Sequence, residues 1–199
     1  MTLRDDIQQI VELIPSGARV LDVGSGEGEL LAALKAKGCD ARGLELDQQK
    51  VSQSLKSGLS VMQGDADIDL AHYPDNGFDY VVLTNTLQVT KHPELILKDA
   101  LRIANRAILS IPNFGYWKNR LQLLVSGRMP VTKKLSYQWY ETPNIHFCTI
   151  RDFVILCEGL NIKIEKRLAI NAAGKIIHFS GLGGSANLLG EQGIFLLSR

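Results

Sequence analysis

The residues that most clearly indicate chemistry are one carboxylate and three glycines. Asp22 stands near the end of an apolar run, and glycines follow at Gly24, Gly26 and Gly28. After Gly28 the apolar spacing changes from the period of a strand to the period of a helix. A strand, a glycine turn and a helix start together offer free backbone N–H groups and room for a ligand against the backbone. This stretch therefore predicts a loop that binds a small molecule.

The acids around this loop narrow the class of ligand. The NAD fingerprint G-x-G-x-x-G would need a third glycine at Glu29. A pyrophosphate is also disfavoured by Glu27 and Glu29, whereas a ligand with positive charge is not. The pattern acid-x-Gly-x-Gly-x-Gly resembles motif I of the class I S-adenosylmethionine (SAM)-dependent methyltransferases. A glycine turn in another kind of α/β protein is the alternative reading of the loop alone.

Two further acids follow the next predicted strands. Glu45 ends an apolar run about 20 residues after the first glycine, where a carboxylate meets the ribose hydroxyls of a bound nucleoside. Asp65 follows a shorter run, where methyltransferases of this class place an acid near the adenine. The predicted ligand is SAM or its demethylated product, S-adenosyl-L-homocysteine. Its predicted binding residues are Asp22, Gly24, Ser25, Gly26, Gly28, Glu45, Leu46, Asp65, Ala66 and Asn85.

The elements that must position these residues alternate between strands and helices. Short connections between them predict a doubly wound, mostly parallel α/β sheet with helices on both faces. We expect seven strands, a Rossmann-like fold of the class I methyltransferase type, and a single domain over residues 1–199. Residues 171–193 are rich in glycine and are expected to form a long connection.

An insert at about residues 112–148 interrupts the alternation. It holds more than half of the aromatic residues of the chain, which are Phe114, Tyr116, Trp117, Tyr137, Trp139, Tyr140 and Phe147. We expect the insert to lie past the carboxyl ends of strands four and five, where ligands bind in open α/β sheets. His146 and Tyr116 are the weak candidates for a catalytic base or hydrogen-bond donor, and packing within a lid is the alternative for Tyr116.

Composition excludes several classes. The chain has no apolar run long enough to cross a bilayer, and its polar start leads us to expect no secretion signal. Three cysteines without metal-ligand spacing indicate reduced thiols in a cytoplasmic protein, and no metal site is expected. The sequence pI of about 7.7 makes a dedicated nucleic-acid binder unlikely.

Charge is nevertheless divided unevenly along the chain. Acids exceed bases in the first half, and bases exceed acids in the second. No acid occurs between Asp99 and Glu141. That interval holds the basic residues Arg102, Arg106, Lys118, Arg120, Arg128, Lys133 and Lys134. Such a run is either a solvated face or the binding surface of an anionic partner or substrate.

Several motifs of the insert resemble the methionine-biosynthesis family MetW. They are IPNFGYWKNR at 111–120, GRMP at 127–130, WYETPNIH at 139–146 and TLQ at 86–88. The likeness covers residues 3–170. Ser25 stands where the family usually has cysteine, and Ser136 where it usually has proline.

The resemblance implies a role as a partner protein. MetW proteins have a class I methyltransferase fold and are associated with MetX, the homoserine O-acyltransferase. The implied role is to bind MetX and support homoserine acylation, with the insert as docking surface. We add the hypothesis that the SAM pocket acts as a sensor, because the glycine loop and Glu45 occur in the same chain as the insert. The alternative is a SAM-dependent methyltransferase that acts on a small anionic acceptor near Arg120 and Arg128.

Overall fold

The computed structural model describes residues 3–132 and 135–199, and it contains one mixed β-sheet. Its strands within the described residues are β1 (Arg19–Val23), β2 (Asp40–Glu45), β3 (Ser60–Gln63), β4 (Phe78–Thr84), β5 (Ala104–Pro112), β6 (Lys163–Ile170), β7 (Ile176–His178) and β8 (Gln192–Ser198). They are ordered β3-β2-β1-β4-β5-β8-β6-β7 across the sheet. The first five strands pair in parallel, and β8 lies antiparallel between β5 and β6.

Helices cover the sheet and connect its strands. They are α1 (Asp5–Leu13), α2 (Glu29–Ala36), α3 (Gln48–Lys56), α4 (Ala66–Asp69), α5 (Pro93–Ile103), α6 (Trp117–Ser126), α7 (Ile150–Gly159) and α8 (Gly184–Leu189). Short 3₁₀ turns occur at Leu70–His72 and Leu87–Val89. No helix among the described residues has the length and apolar character that crossing a bilayer requires.

The predicted fold class is confirmed, but the predicted number of seven strands is wrong. The described residues form eight strands, because Ile176–His178 pairs with the end of β6 at the sheet edge. The stretch 171–193, which we expected to be a plain connection, contains this strand and α8. A three-residue strand leaves too short an alternation in the sequence to be recognised.

Two apolar layers hold the sheet between its helices. One layer contains Leu21, Val81, Leu97 and Phe153, and the other contains Val20, Ile10, Leu34 and Ile108. Neighbouring residues of β1 thus belong to opposite layers. Because the central parallel strands are buried on both faces, they read as continuous apolar runs in the sequence.

The strand order creates a switch point between β1 and β4. The chain proceeds from β1 to β2 and β3 on one side, and then crosses over to β4 and β5 on the other. The connections that leave the carboxyl ends of β1 and β4 therefore diverge and open a crevice, which is the usual ligand site of such sheets. The glycine loop follows β1, and Asn85 follows β4, so the switch point brings them together.

Asn113 anchors the start of the insert to the domain. Its buried side chain donates from Nδ2 to the backbone oxygens of Asn187 (2.9 Å) and Gly190 (2.7 Å). Its Oδ1 accepts from the backbone N–H groups of Gly115 (3.0 Å) and Ile150 (3.2 Å). One side chain thus joins the end of β5 to the first turn of α7 and to α8.

We predict that Asn113→Leu destabilises the protein by about 2–4 kcal/mol, because it leaves several buried backbone groups without partners. Urea unfolding measures the change. Asn105→Leu, at an exposed position of β5, is the control and is expected to change stability little. Equal losses in the two variants would contradict the anchoring role.

Candidate functional site

Two cavities flank the glycine loop at the switch point. The main cavity has a volume of about 730 Å³ and extends over the ends of β2 and β4. The loop cavity, of about 560 Å³, lies between the loop and α1. The main cavity is lined by the predicted residues Gly24, Gly26, Glu45, Leu46, Asp65, Ala66 and Asn85, and the loop cavity by Asp22, Gly24, Ser25, Gly26 and Gly28. All ten predicted binding residues thus lie beside one cavity or both, although their binding role stays a prediction.

The three glycines of the loop differ in what an added side chain would contact. All three have positive φ angles, of 75° at Gly24, 57° at Gly26 and 82° at Gly28. A Cβ at Gly24 would lie 2.5 Å from Thr86 Oγ1, and one at Gly28 would collide with Leu59. A Cβ at Gly26 would meet no atom within 4 Å. Packing within the protein thus excludes side chains at the outer two positions, whereas Gly26 leaves free space beside both cavities, as a ligand cradle requires.

Glu45 holds the loop in place from the neighbouring strand. Its carboxylate is buried, with Oε2 accepting from the Gly26 N–H (2.7 Å) and Oε1 from the Asp47 N–H (3.0 Å). A carboxylate oxygen can accept more than one hydrogen bond, so both oxygens retain capacity for hydroxyl donors of a ligand. Glu45 also lines the main cavity, which fits its predicted role toward a ribose.

Asp22 is a buried carboxylate that lacks a hydrogen-bond donor at one oxygen. Its side chain is 2% exposed, and Oδ1 has no hydrogen-bond partner among the described residues. The pKa of Asp22 is raised to about 7, chiefly by burial and also by the nearby Glu45 carboxylate, while Arg4 partly offsets this rise. The main cavity adds the acids Asp47, Asp65 and Asp67. These groups together favour a ligand that carries positive charge.

Asp65 and Ala66 begin the short helix α4 at the far wall of the main cavity. The Asp65 side chain caps this helix by accepting from the Asp67 N–H (2.9 Å). The Asp67 carboxylate in turn accepts from the backbone N–H groups of Lys91 (2.9 Å) and His92 (3.0 Å). Asp67 and Lys91 also line the cavity, and the sequence analysis did not identify them.

Asn85 joins the site to a buried polar cluster. It adopts a left-handed backbone conformation with φ 53°, which asparagine tolerates better than most residues. Its side chain accepts from Gln192 Nε2 (3.1 Å) and donates to Asp6 Oδ2 (3.3 Å), and Gln192 also donates to Asp6 (2.9 Å). Arg4 pairs with the same Asp6 carboxylate at 3.0 Å. The signal that could have revealed this cluster is Asp6 itself, an acid within the apolar spacing of α1.

The two weak catalytic candidates lie apart from both cavities. Tyr116 is buried at the start of α6, with its ring edge-on to Trp117. His146 donates from its backbone to the Gln88 oxygen (3.0 Å), and its buried Nε2 has no hydrogen-bond partner in the described part of the chain. Neither residue lines the main cavity or the loop cavity. The structure therefore gives these two side chains no access to a ligand in either cavity, and packing is the role it favours for Tyr116.

The basic residues between Asp99 and Glu141 do not share one face of the protein. Arg102 and Arg106 lie near the start of β5 and pair with Asp75, Asp99 and Glu165.

At the other end of β5, Arg120 donates to the Gly115 oxygen (2.5 Å). Arg128 is exposed, and neither arginine lines the main or the loop cavity. Lys133 and Lys134 lie outside the described residues. A small anionic acceptor near Arg120 and Arg128 therefore gains no support from the geometry.

In the described ranges, no group of three or more His, Cys, Asp or Glu side chains is placed to hold a metal ion. The cysteines Cys39, Cys148 and Cys157 are unpaired. Burial raises the pKa of Cys148 to about 11 and that of Cys157 to about 12, so both are protonated thiols at neutral pH.

We predict that Asp22→Asn changes the pH dependence of stability. Because the pKa of Asp22 is raised to about 7 in the fold, wild-type stability falls as pH rises from the unfolded-state pKa of about 4 toward 7. The variant lacks this loss, so its melting temperature relative to wild type should be higher at pH 8 than at pH 5. Asp40→Asn, on an exposed side chain, is the control. A constant difference between Asp22→Asn and wild type at both pH values would contradict the burial of an ionisable group at this position.

Known proteins resemble the chain both in sequence and in fold. The family model described as methionine biosynthesis protein MetW matches residues 4–197, well beyond the stretch that the motifs covered. A bifunctional methionine biosynthesis protein MetXA/MetW from Rhodopirellula baltica is 34% identical over 178 residues, which is 84% of this chain. The chain spans only 29% of the length of that relative.

Several solved methyltransferase structures share this fold. A SAM-dependent methyltransferase from Thermotoga maritima aligns with a TM-score of 0.73 and 18% identity, covering 98% of this chain and 88% of the other. One from Mesorhizobium loti aligns with a TM-score of 0.71 and 14% identity, covering 98% of each. These likenesses establish the fold, and the family match over nearly the whole chain establishes the kinship: the chain belongs to the MetW family of methionine biosynthesis proteins.

Proposed function

We propose that this protein binds SAM or S-adenosyl-L-homocysteine at the switch point and supports homoserine acylation by a MetX-type homoserine O-acyltransferase. The observation that carries the proposal is the position of the ten predicted residues around two acidic cavities in a chain of the MetW family. The unpaired thiols fit a reducing compartment, so we propose the cytoplasm as its place of action.

Each part of the ligand has a group of suitable chemistry in these cavities. Glu45 would accept hydrogen bonds from the ribose hydroxyls, and Asp65 would lie near the adenine. The Asp22 carboxylate would attract the ammonium or sulfonium charge, and the backbone N–H groups at the start of α2, where Glu29 and Leu30 line the loop cavity, would receive the carboxylate. The orphaned oxygen of Asp22 and the free space at Gly26 support this assignment.

We predict that Gly26→Ala weakens SAM binding at least tenfold, because a methyl group would occupy the space that the ligand needs. Isothermal titration calorimetry with SAM and S-adenosyl-L-homocysteine measures the affinity.

Gly17→Ala is a matched control for this test. Gly17 has φ 79° and also has no atom within 4 Å of an added Cβ, but it lines neither cavity. Both variants should lose about 1–2 kcal/mol of stability from backbone strain, and only Gly26→Ala should lose affinity. Absence of heat from both ligands with the wild-type protein would remove the cofactor from the proposal.

The partner is suggested by the fused relative. Its name joins MetXA to MetW, and the part that matches this chain is 29% of its length. Fusion keeps two modules at a high effective concentration, which is useful when they act as a complex. We therefore propose that the separate chain binds a MetX-type acyltransferase non-covalently.

Helix α6 offers the surface for this contact, because its polarity is inverted. Its inward positions are the polar Asn119, which is 4% exposed, and the half-buried Gln122. Its exposed positions include an apolar stripe of Trp117, Leu121, Leu124 and Val125, which are 40%, 49%, 83% and 77% exposed. The spacing i, i+4, i+7 and i+8 is that of a helix face that inserts into a groove of a partner. Exposed apolar residues in such a cluster indicate an interface.

We predict that Leu124→Glu weakens binding to a MetX-type acyltransferase by a factor of about 30 or more, as expected for loss of an interface anchor worth at least ~2 kcal/mol. Co-purification and titration calorimetry with the purified acyltransferase measure this. Ile155→Glu, which replaces another half-exposed apolar residue on α7, is the control and should bind normally. Normal binding by Leu124→Glu, or self-association through α6 in place of the acyltransferase, would contradict the docking role.

The SAM cavity then acts as a sensor in this proposal. A ligand that favours one state of the complex changes its stability by a coupling free energy of about 1–3 kcal/mol. Homoserine acylation by the acyltransferase, measured with and without this protein at several SAM concentrations, tests the idea. Equal affinity of the free protein and of the complex for SAM would exclude the sensor while leaving the docking role intact.

A further inference from the structure

A third cavity adjoins the main cavity and has no part in the proposed function. This side cavity has a volume of about 640 Å³. It shares Asn85, Val89 and Pro143 with the main cavity, so the two compartments meet at these residues. Its size is suited to a small metabolite.

The walls of the side cavity come from separate parts of the chain. Tyr137, Pro143 and Asn144 of the insert line it on one side. Pro112 and Ile170, at the ends of β5 and β6, line it from the sheet. The insert is held over this compartment by the Gln88 backbone oxygen, which accepts from the N–H groups of Ile145 (2.9 Å) and His146 (3.0 Å).

The charge of the side cavity is predominantly negative. Arg4 lines the cavity, but its guanidinium is already paired with other acids. It donates two hydrogen bonds to Asp6, at 3.2 and 3.0 Å, and lies 3.9 Å from the Glu29 carboxylate. Asp5 and Glu191 also line the cavity, and neither forms an ion pair with a residue of the described ranges. Two carboxylates beside a neutralised arginine attract a cation.

Gln88 supplies a second, independent indication of a ligand. It lines the side cavity and is 5% exposed, and its Nε2 donates to the Asn85 oxygen at 2.6 Å. That bond shows which end of the amide is the donor, and Oε1 is buried without a hydrogen-bond partner among the described residues. A buried acceptor without a donor costs free energy, which a ligand N–H or O–H group would recover.

We infer that the side cavity binds a small ligand with a protonated amine. Its ammonium group lies against Glu191 and Asp5, and a ligand donor satisfies Gln88 Oε1 after a small rotation of the side chain. The inference goes beyond the proposed function, because it requires neither bound SAM nor the acyltransferase. It also differs from the expected anionic acceptor in the sign of the ligand charge.

The test compares two probes of nearly equal shape. L-Homoserine carries an ammonium group, whereas 2,4-dihydroxybutyrate has a hydroxyl in its place. Calorimetry with the full chain should show at least tenfold tighter binding of L-homoserine. Equal binding of the two probes, or no heat from L-homoserine and none from ethanolamine, would overturn the inference.

Variants assign the binding to this cavity. Glu191→Gln should weaken L-homoserine binding at least tenfold and leave SAM affinity within twofold, which also reports that the variant is folded. Glu158→Gln, an exposed carboxylate on α7, is the matched control and should bind as wild type. Unchanged binding by Glu191→Gln would place the ligand elsewhere and overturn the inference. If the wild-type protein binds L-homoserine but not SAM, the SAM part of the proposed function is refuted and the present inference stands.

Discussion

The hydrogen bond from the Gly26 N–H to the Glu45 carboxylate is the contact on which the site depends. β1 and β2 pair in parallel with Val23 opposite Leu44, so Glu45 comes level with the start of the loop. The Leu44 oxygen accepts from the N–H groups of Gly24 (2.7 Å) and Ser25 (3.2 Å), and Glu45 then accepts from Gly26 at 2.7 Å. The loop is thus an extension of the strand pairing, and hydrogen bonds within the protein set its shape. Such preorganisation reduces the conformational entropy that binding would otherwise cost.

This arrangement explains why the sequence indicates which residues meet at the switch point, whereas it does not indicate all members of the polar cluster of Asp6, Asn85 and Gln192. Parallel strands bring their carboxyl ends to one edge, so an acid or glycine at each strand end has a predictable place. Asp6, Asn85 and Gln192, by contrast, belong to a helix, a loop and the last strand, and only the insertion of β8 between β5 and β6 brings Gln192 to the other two. No spacing in the sequence encodes that contact. His146 and Tyr116 were singled out for their chemistry and position in the insert, and the fold directs them away from the main and loop cavities.

The insert differs from the rest of the chain in which side chains its helix buries. The insert is rich in aromatic residues, yet its helix α6 places polar Asn119 inside and Leu124 outside. Asn119 can be buried because its Nδ2 donates to the Asn113 oxygen (3.2 Å), which belongs to the anchored end of β5. The polar side of the helix therefore serves the fold, whereas its apolar side is exposed. Composition alone does not distinguish this arrangement from an ordinary amphipathic helix.

The insert and the cavities are physically joined, which gives the proposed sensor a structural basis. Pro143 of the insert lines both the main and the side cavity. Shortly after it, the N–H groups of Ile145 and His146 donate to the Gln88 backbone oxygen. Gln88 in turn donates to Asn85 at the switch point. A ligand in either cavity would thus act on the same few contacts that hold the insert, to which α6 belongs. Because coupling is reciprocal, a partner that orders the insert must change ligand affinity by the same factor as the ligand changes partner affinity.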